Sequence, residues 1–190
     1  MNIVFLDEAT ISLNGDMDFS SVEARGGLTR YDLTSPDQIV ERGKDAEVII
    51  VNKVPMSGEV LRELPKLGHI AVIATGYNNV DTKTAREIGV GVSNVFGYGK
   101  YIVPQHAFSL ILNLAGRVID YARDVQNGDW EAQDSFTLLR YPTFELAGKT
   151  IGIIGFGAIG RGSAAIAEGF GMNVLVNDAF DFEHPTYTNT

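Results

Sequence analysis

The chain has 190 residues, of which 45% are hydrophobic and 21% charged, and its formal net charge is −9. This composition is typical of a globular protein with room for one large or two small domains. The acidic excess disfavours a general nucleic-acid binder, since no basic block can neutralise phosphates. The absence of cysteine excludes disulfides, thiolate metal sites and cysteine nucleophiles, and it fits a reducing compartment.

Neither a signal peptide nor a membrane span is expected. The N-terminal apolar run in "MNIVFLDEAT" is too short for a signal-peptide core and has no basic residue before it. The longest uncharged run, residues 101–116, is interrupted by Pro104, Gln105, His106 and Asn113. The sequence therefore predicts a cytoplasmic protein with no membrane partner and no metal site.

The first half of the chain alternates short apolar runs with helix-like stretches. Helices are predicted over 35–43, with Ser35 as N-cap, over 57–68, and over 81–89, with Asp81 as N-cap and Gly89 as C-cap. Near-continuous Val and Ile runs between helices indicate parallel strands buried on both faces, and thus a doubly wound α/β sheet. The predicted strands are 2–6, 28–33, 47–52, 69–75 and 89–95, which complete a first domain over residues 1–99.

The second half begins with a different pattern. Apolar residues recur at close to helical spacing through 100–128, which predicts one long helix that tolerates Pro104 only near its start. After a polar loop with Trp130, a strand, a glycine turn, a helix over 158–171 and a strand over 173–178 follow. The helix is rich in small residues, so it can lie close to its sheet.

The glycine turn has the spacing Gly155-x-Gly157-x-x-Gly160 between a strand and a helix. The first glycine permits a tight turn, the second lets a pyrophosphate approach, and the third packs helix against strand. Free N–H groups at the helix start would meet the phosphates. The pattern predicts a dinucleotide site, with two alternatives left open: a tight turn without a ligand, or S-adenosylmethionine in a methyltransferase.

Asp178 ends the next strand, 18 residues after Gly160. A carboxylate there accepts hydrogen bonds from both hydroxyls of an adenosine ribose and repels a 2′-phosphate. The sequence therefore predicts NAD rather than NADP as the cofactor.

Several motifs together resemble the D-isomer-specific 2-hydroxyacid dehydrogenases, nearest the glycerate dehydrogenase (hydroxypyruvate reductase) branch. They are "ATGYNNVDTKTAREIGVGVSNVFGYG" at 74–99, "QHAFSLILNLAGRV" at 105–118, "NGDW" at 127–130 and "ELAGKTIGIIGFGAIGRG" at 145–162. The resemblance implies a flavodoxin-like substrate domain over 1–99, followed over 100–190 by a linker helix and the first part of a Rossmann domain. It implies hydride transfer between NAD(H) and a small D-2-hydroxy acid or 2-keto acid, and a homodimer.

The resemblance also implies the site residues. Backbone amides of Thr75 and Gly76 would bind the substrate carboxylate, Lys53 would face the same cleft, and Val103 would pack near the nicotinamide. Asp7 and Glu8, after the first strand, are either a cleft-lining pair or, more simply, a solvated loop. The residues expected to bind the cofactor are Val103, Gly155, Phe156, Gly157, Ala158, Ile159, Gly160 and Asp178.

The family's catalytic Arg, acidic residue and His are expected beyond residue 190, so the chain is expected to be an N-terminal fragment that is inactive by itself. His69, His106 and His184 are not expected to replace the catalytic histidine. His106, on the linker helix, is expected to pack or to hydrogen-bond between domains. A non-enzymatic NAD(H)-sensing module of the same fold remains an alternative function.

Overall fold

The structure is a computed structural model that describes residues 1–184 and 186–188. The chain divides into two compact units, Met1–Phe96 and Gly97–Thr190. The assignment of the first unit to substrate and of the second to cofactor stays a prediction at this point.

The first unit is built on a five-stranded parallel sheet in the order β2-β1-β3-β4-β5. This order is doubly wound, as the alternating pattern predicts, and flavodoxin-like, as the family resemblance implies. The strands are β1 (Asn2–Phe5), β2 (Gly27–Arg30), β3 (Val48–Val51), β4 (His69–Val72) and β5 (Gly91–Asn94). The helices are α1 (Ser20–Glu23), α2 (Ile39–Gly43), α3 (Gly58–Arg62) and α4 (Thr82–Glu87).

Alternate side chains of β3 and β4 face opposite sides of this sheet. Ile49 and Ile70 belong to the larger core, together with Leu61 of α3 and Ala85 of α4. The other side holds a smaller cluster around Phe5 and Phe19. Because both faces of the sheet are buried, the sequences of these strands are continuous apolar runs.

The predicted caps at Asp81, Gly89 and Ser35 are confirmed, but the helix predicted over 57–68 is wrong at its end, because α3 stops at Arg62, shortly before Pro65. The Asp81 carboxylate accepts the backbone N–H of Thr84 at 3.0 Å, and Gly89 follows α4 with a φ of +80°. Ser35 donates its backbone N–H to the Gln38 side chain at 3.3 Å, as in a capping box, although the first turn there is a 3₁₀ helix.

The single long helix predicted over 100–128 is wrong. The structure has α5 (Gly99–Gly116) and α6 (Val118–Gln126), which meet at 63°. Arg117 adopts a left-handed φ of +54° that ends α5, and the Asn113 side chain then accepts the N–H of Ile119 at 3.0 Å. In the part of the chain that the structure describes, no single helix is long and apolar enough to cross a membrane; this bent pair qualifies by length and composition only.

The second unit adds the parallel pair β6 (Thr150–Ile154) and β7 (Asn173–Asn177), joined by α7 (Ala158–Gly169). Pro104 lies inside α5 and is buried, and its missing N–H frees the carbonyl of Lys100 from the usual helical bond. Gly162 of α7 lies against this place: a Cβ on Gly162 would be 2.7 Å from the Lys100 oxygen and 2.9 Å from the Pro104 ring. The glycine therefore permits the close approach of α5 and α7.

We expect Gly162→Ala to destabilise the second unit by about 1–3 kcal/mol, because the new methyl group meets backbone that cannot move aside. Gly169→Ala is the matched control, since no atom lies within 4 Å of its Cβ position in the same helix. The control should be neutral or stabilising by up to about 1 kcal/mol. Thermal unfolding of both variants checks this, and equal melting temperatures would contradict the packing role of Gly162.

Candidate nucleotide-binding site

The three glycines of the motif at the junction of β6 and α7 differ in what the fold requires of them. Gly155 has a φ of +93°, which side chains rarely adopt, and its N–H donates to the carbonyl of Asn177 at 2.7 Å. Gly160 is buried under the turn, and a Cβ there would overlap the Gly155 carbonyl oxygen. Both are therefore needed to form the turn itself.

Gly157 differs from the other two. It is the N-cap of α7 with an ordinary φ of −72°, and among the described residues no neighbouring atom lies within 4 Å of its Cβ position. Nothing in the fold requires glycine here, whereas a ligand approaching the helix N-terminus would. The space in front of the turn is a cavity of about 420 Å³. Its lining includes Gly155, Gly157, Ala158, Ile159 and Gly160.

Asp178 follows β7 and holds the turn by its backbone. One carboxylate oxygen accepts the N–H of Phe156, and the other accepts the N–H of Phe180 at 2.9 Å. These hydrogen bonds, that from Phe156 first, lower the pKa of Asp178 below its usual value. The residue therefore stays ionised at neutral pH, which is the state that can accept ribose hydroxyls and repel a phosphate.

An aromatic cluster covers Phe156 and was not anticipated. The ring of Phe156 lies 4.6 Å from that of Phe182, and the stacked pair of His184 and Tyr187 packs edge-on against it. The Arg161 guanidinium lies 4.5 Å from the Phe156 ring. The available sequence signal was the group of aromatic and imidazole side chains soon after Asp178, of which Phe182, His184 and Tyr187 form the cluster. His184, expected in a terminal loop, is thus a packing residue.

Tyr187 is the polar end of this cluster. It is 9% exposed, and its hydroxyl donates to the Glu168 carboxylate of α7. Burial and then this acidic partner raise the pKa of Tyr187 to about 12. The hydroxyl is therefore a donor throughout the physiological range and ties Tyr187 to α7.

Val103 lies on α5 within the same unit and is 44% exposed. A Cβ added to Gly99 would be 3.4 Å from Val103 and 4.0 Å from Ile159, so both side chains flank the start of α5. Val103 therefore lies on the side of α5 that meets the first turn of α7. His106, three residues further, is exposed.

The expected substrate-side residues follow neighbouring strands of the first unit. Lys53 comes after β3, and its exposed side chain is unpaired with any carboxylate of the described residues. Thr75 comes after β4 and donates its hydroxyl to the Val95 carbonyl at 3.0 Å, while Gly76 has open space around it. Because β3 and β4 are parallel, their ends place these residues at the same edge of the sheet.

Asp7 has a structural role that differs from both predictions, the cleft-lining pair and the solvated loop. It is 1% exposed, and its carboxylate accepts the backbone N–H groups of Asn52 at 2.8 Å, Lys53 at 2.6 Å and Val54 at 3.2 Å. It therefore lines no cleft and is not solvated; it fixes the loop that carries Lys53. Glu8 pairs with Arg30 at 3.0 Å.

His69 is the first residue of β4, in agreement with the strand predicted from residue 69, and its Nε2 is 2.9 Å from the Ser93 hydroxyl. It is thus part of a cross-strand polar contact. Over the described residues, no group of three or more His, Cys, Asp or Glu side chains could hold a metal ion.

Both units are α/β folds with parallel strands, and the second unit has a glycine turn and a carboxylate at a strand end. These features define a protein of the nucleotide-binding α/β class. Residues 108–189 match the model of the D-isomer-specific 2-hydroxyacid dehydrogenase NAD-binding domain. The resemblance that the sequence motifs indicate is thus confirmed for this part of the chain. The match also confirms the nicotinamide dinucleotide that the glycine turn predicts.

Curated relatives extend the similarity over both units. The chain is 39% identical over 95% of its length to a hydroxypyruvate reductase of Blautia hydrogenotrophica, and 38% identical over 94% to a glycerate dehydrogenase of Methylorubrum extorquens. It spans 56% of each relative. The apo-structure of D-lactate dehydrogenase from Escherichia coli superposes with a TM-score of 0.74 and 26% identity, over 96% of this chain and 56% of that one.

We expect Gly157→Ala to weaken NADH binding by at least about tenfold, which is about 1.4 kcal/mol, because its methyl group would point into the open cavity. Its melting temperature should stay close to that of the wild type, since the methyl group meets no protein atom. Gly160→Ala is the contrasting variant and should lower stability by more than about 2 kcal/mol. A Gly157→Ala protein that binds NADH normally would contradict a ligand at this turn.

Proposed function

We propose that the protein containing this chain transfers hydride between NAD(H) and a small D-2-hydroxy acid or 2-keto acid, with glycerate and hydroxypyruvate as the first pair to test. The observation that carries the proposal is Gly157: a glycine that the fold does not need, at a helix N-terminus in front of a cavity and beside an ionised Asp178. The similarity to a hydroxypyruvate reductase and a glycerate dehydrogenase supports the reaction class.

The second unit would hold the dinucleotide. The first N–H groups of α7 have no partner inside the helix and would bind the pyrophosphate without any lysine. Asp178 would accept the ribose hydroxyls, because an ionised carboxylate accepts hydrogen bonds and has no proton to donate. Val103 and Ile159 would offer apolar contacts. When bound, the nicotinamide supplies or receives the hydride.

The first unit would hold the acid substrate. Lys53 would attract the substrate carboxylate, and the backbone N–H groups of Thr75 and Gly76 would bind it directly. Three hydrogen bonds to Asp7 fix the backbone around Lys53, so the lysine would begin from a defined position. This pre-organisation reduces the ordering cost that a flexible loop would add to binding.

We further propose that the protein forms a homodimer. The support comes from the outer side of α5, where Ile102, Leu110 and Leu114 are each more than half exposed. An exposed apolar stripe of this kind is typical of a surface that another chain covers.

The proposed activity is tested on the purified gene product that contains this chain. With hydroxypyruvate or glyoxylate as the substrate, we expect NADH to be oxidised at a rate proportional to the amount of enzyme, and we expect NADH to be preferred over NADPH. The reaction is monitored as the loss of NADH absorbance. Tight NAD(H) binding with no turnover of either acid would instead favour the NAD(H)-sensing module. Failure to bind either dinucleotide would overturn the proposal.

Lys53→Ala in the same gene product should raise KM for the keto acid by about tenfold or more, since a charge-assisted hydrogen bond contributes about 1.5–3 kcal/mol. Its affinity for NADH should be unchanged. Lys44→Ala is the matched control, because Lys44 precedes β3 and lies at the opposite edge of the sheet. If Lys53→Ala lowers NADH affinity alone, Lys53 does not belong to the acid site.

A further inference from the structure

Arg161 brings a positive charge to the glycine turn through its side chain. Its backbone N–H is used within α7, where it donates to the Gly157 carbonyl at 3.0 Å. Side chains on a helix lean towards its N-terminus, and the guanidinium accordingly lies 4.5 Å from the centre of the Phe156 ring. The residue as a whole remains exposed, so a ligand at the turn can reach it.

Phe156 also connects the Arg161 guanidinium to the Asp178 carboxylate, which would bind the ribose hydroxyls. The Phe156 ring carries Arg161 on its face, while the Phe156 backbone N–H donates to Asp178. The pKa of Asp178 is lowered first by the hydrogen bonds from Phe156 and Phe180, and the positive charge of Arg161 acts in the same direction. Opposite charges therefore flank a single residue of the turn.

The two charges would act in opposite ways on a phosphate group at this end of the site. A carboxylate repels it, whereas a guanidinium binds it with up to five N–H donors in a planar fork. The site therefore already contains a phosphate-binding group next to the group that rejects phosphate. Which dinucleotide it accepts depends on the balance between them.

We propose that Arg161 is a coenzyme-specificity residue: its guanidinium is the group that binds a 2′-phosphate once the charge of Asp178 is removed, so that one substitution turns the site towards NADP(H) without any added cation. The inference rests on the proposed function, because it takes NAD(H) as the ligand of the glycine turn. It assigns Arg161 no part in hydride transfer.

The test compares four forms of the gene product that contains this chain: wild type, Asp178→Asn, Arg161→Gln and the double variant. Dissociation constants for NADH and NADPH are measured by fluorescence titration. Asparagine keeps an oxygen acceptor for the Phe156 N–H, so the turn should be retained. Asp178→Asn should shift the preference towards NADPH by at least about tenfold, by removing the repulsion. Adding Arg161→Gln should abolish most of that gain by weakening NADPH, while NADH changes by less than about threefold.

Two further variants separate specificity from structure. Arg161→Lys in the Asp178→Asn background keeps the charge without the fork and should retain part of the NADPH gain. Lys149→Gln in that background removes one positive charge just before β6, at the end opposite the turn, and should leave the preference unchanged. Melting temperatures are recorded for every variant.

Each remaining outcome is decisive. If Arg161→Gln weakens NADH and NADPH to the same extent, Arg161 only clamps Phe156 and the specificity role is overturned, while the proposed function stands. The specificity role is also overturned, and the proposed function stands, if Asp178→Asn raises the affinity for NADPH and the added Arg161→Gln does not lower it again. If the wild type binds neither dinucleotide, the proposed function itself fails, and this inference fails with it.

Discussion

In both units a carboxylate at the end of one parallel strand holds the backbone of the loop that follows the neighbouring strand. Asp7, after β1, accepts three N–H groups from residues 52–54, which follow β3. Asp178, after β7, accepts the N–H of Phe156, which follows β6. Neighbouring parallel strands end about 5 Å apart at the same edge, where the backbone leaves the ladder and its N–H groups lose their strand partners. A carboxylate can accept several of them, which makes a defined loop out of residues that would otherwise be mobile.

The fold could be predicted because its signals are local. The run Val48–Val51 and the glycine turn each indicate their structure within a few residues, and Asp178 is recognisable by its distance along the chain from Gly160. The order of the strands in the first sheet is implied by the family resemblance rather than by these local signals, because the rules for parallel βα units allow more than one doubly wound order. The role of Asp7 could not be predicted in this way, because its partners are 45 to 47 residues away and are backbone groups, which carry no mark in the sequence.

The break between α5 and α6 was missed for a different reason. Gly116 is a weak stop signal, and the left-handed residue is Arg117, a type that seldom adopts this conformation. The break is stabilised by the Asn113 side chain and by the ion pair of Arg117 with Asp120 at 2.9 Å. These contacts form only once the backbone has turned at Arg117, so the sequence alone does not reveal them. Arg161 was missed because the sequence gives its position in α7 but not the direction of its side chain.

An acidic chain can bind an anionic ligand because the binding groups are not side chains. In the proposed site, the N–H groups at the start of α7 and the partial positive charge of the helix end would bind the pyrophosphate in any sequence that forms the turn. Substitution cannot remove these groups without disrupting the fold, as Gly155 and Gly160 show. Discrimination between related dinucleotides must therefore come from the side chains around the turn, and Asp178 and Arg161 are the charged ones that its own residue Phe156 contacts. In the proposed site, affinity would thus depend on the backbone, whereas specificity would depend on side chains that can change independently.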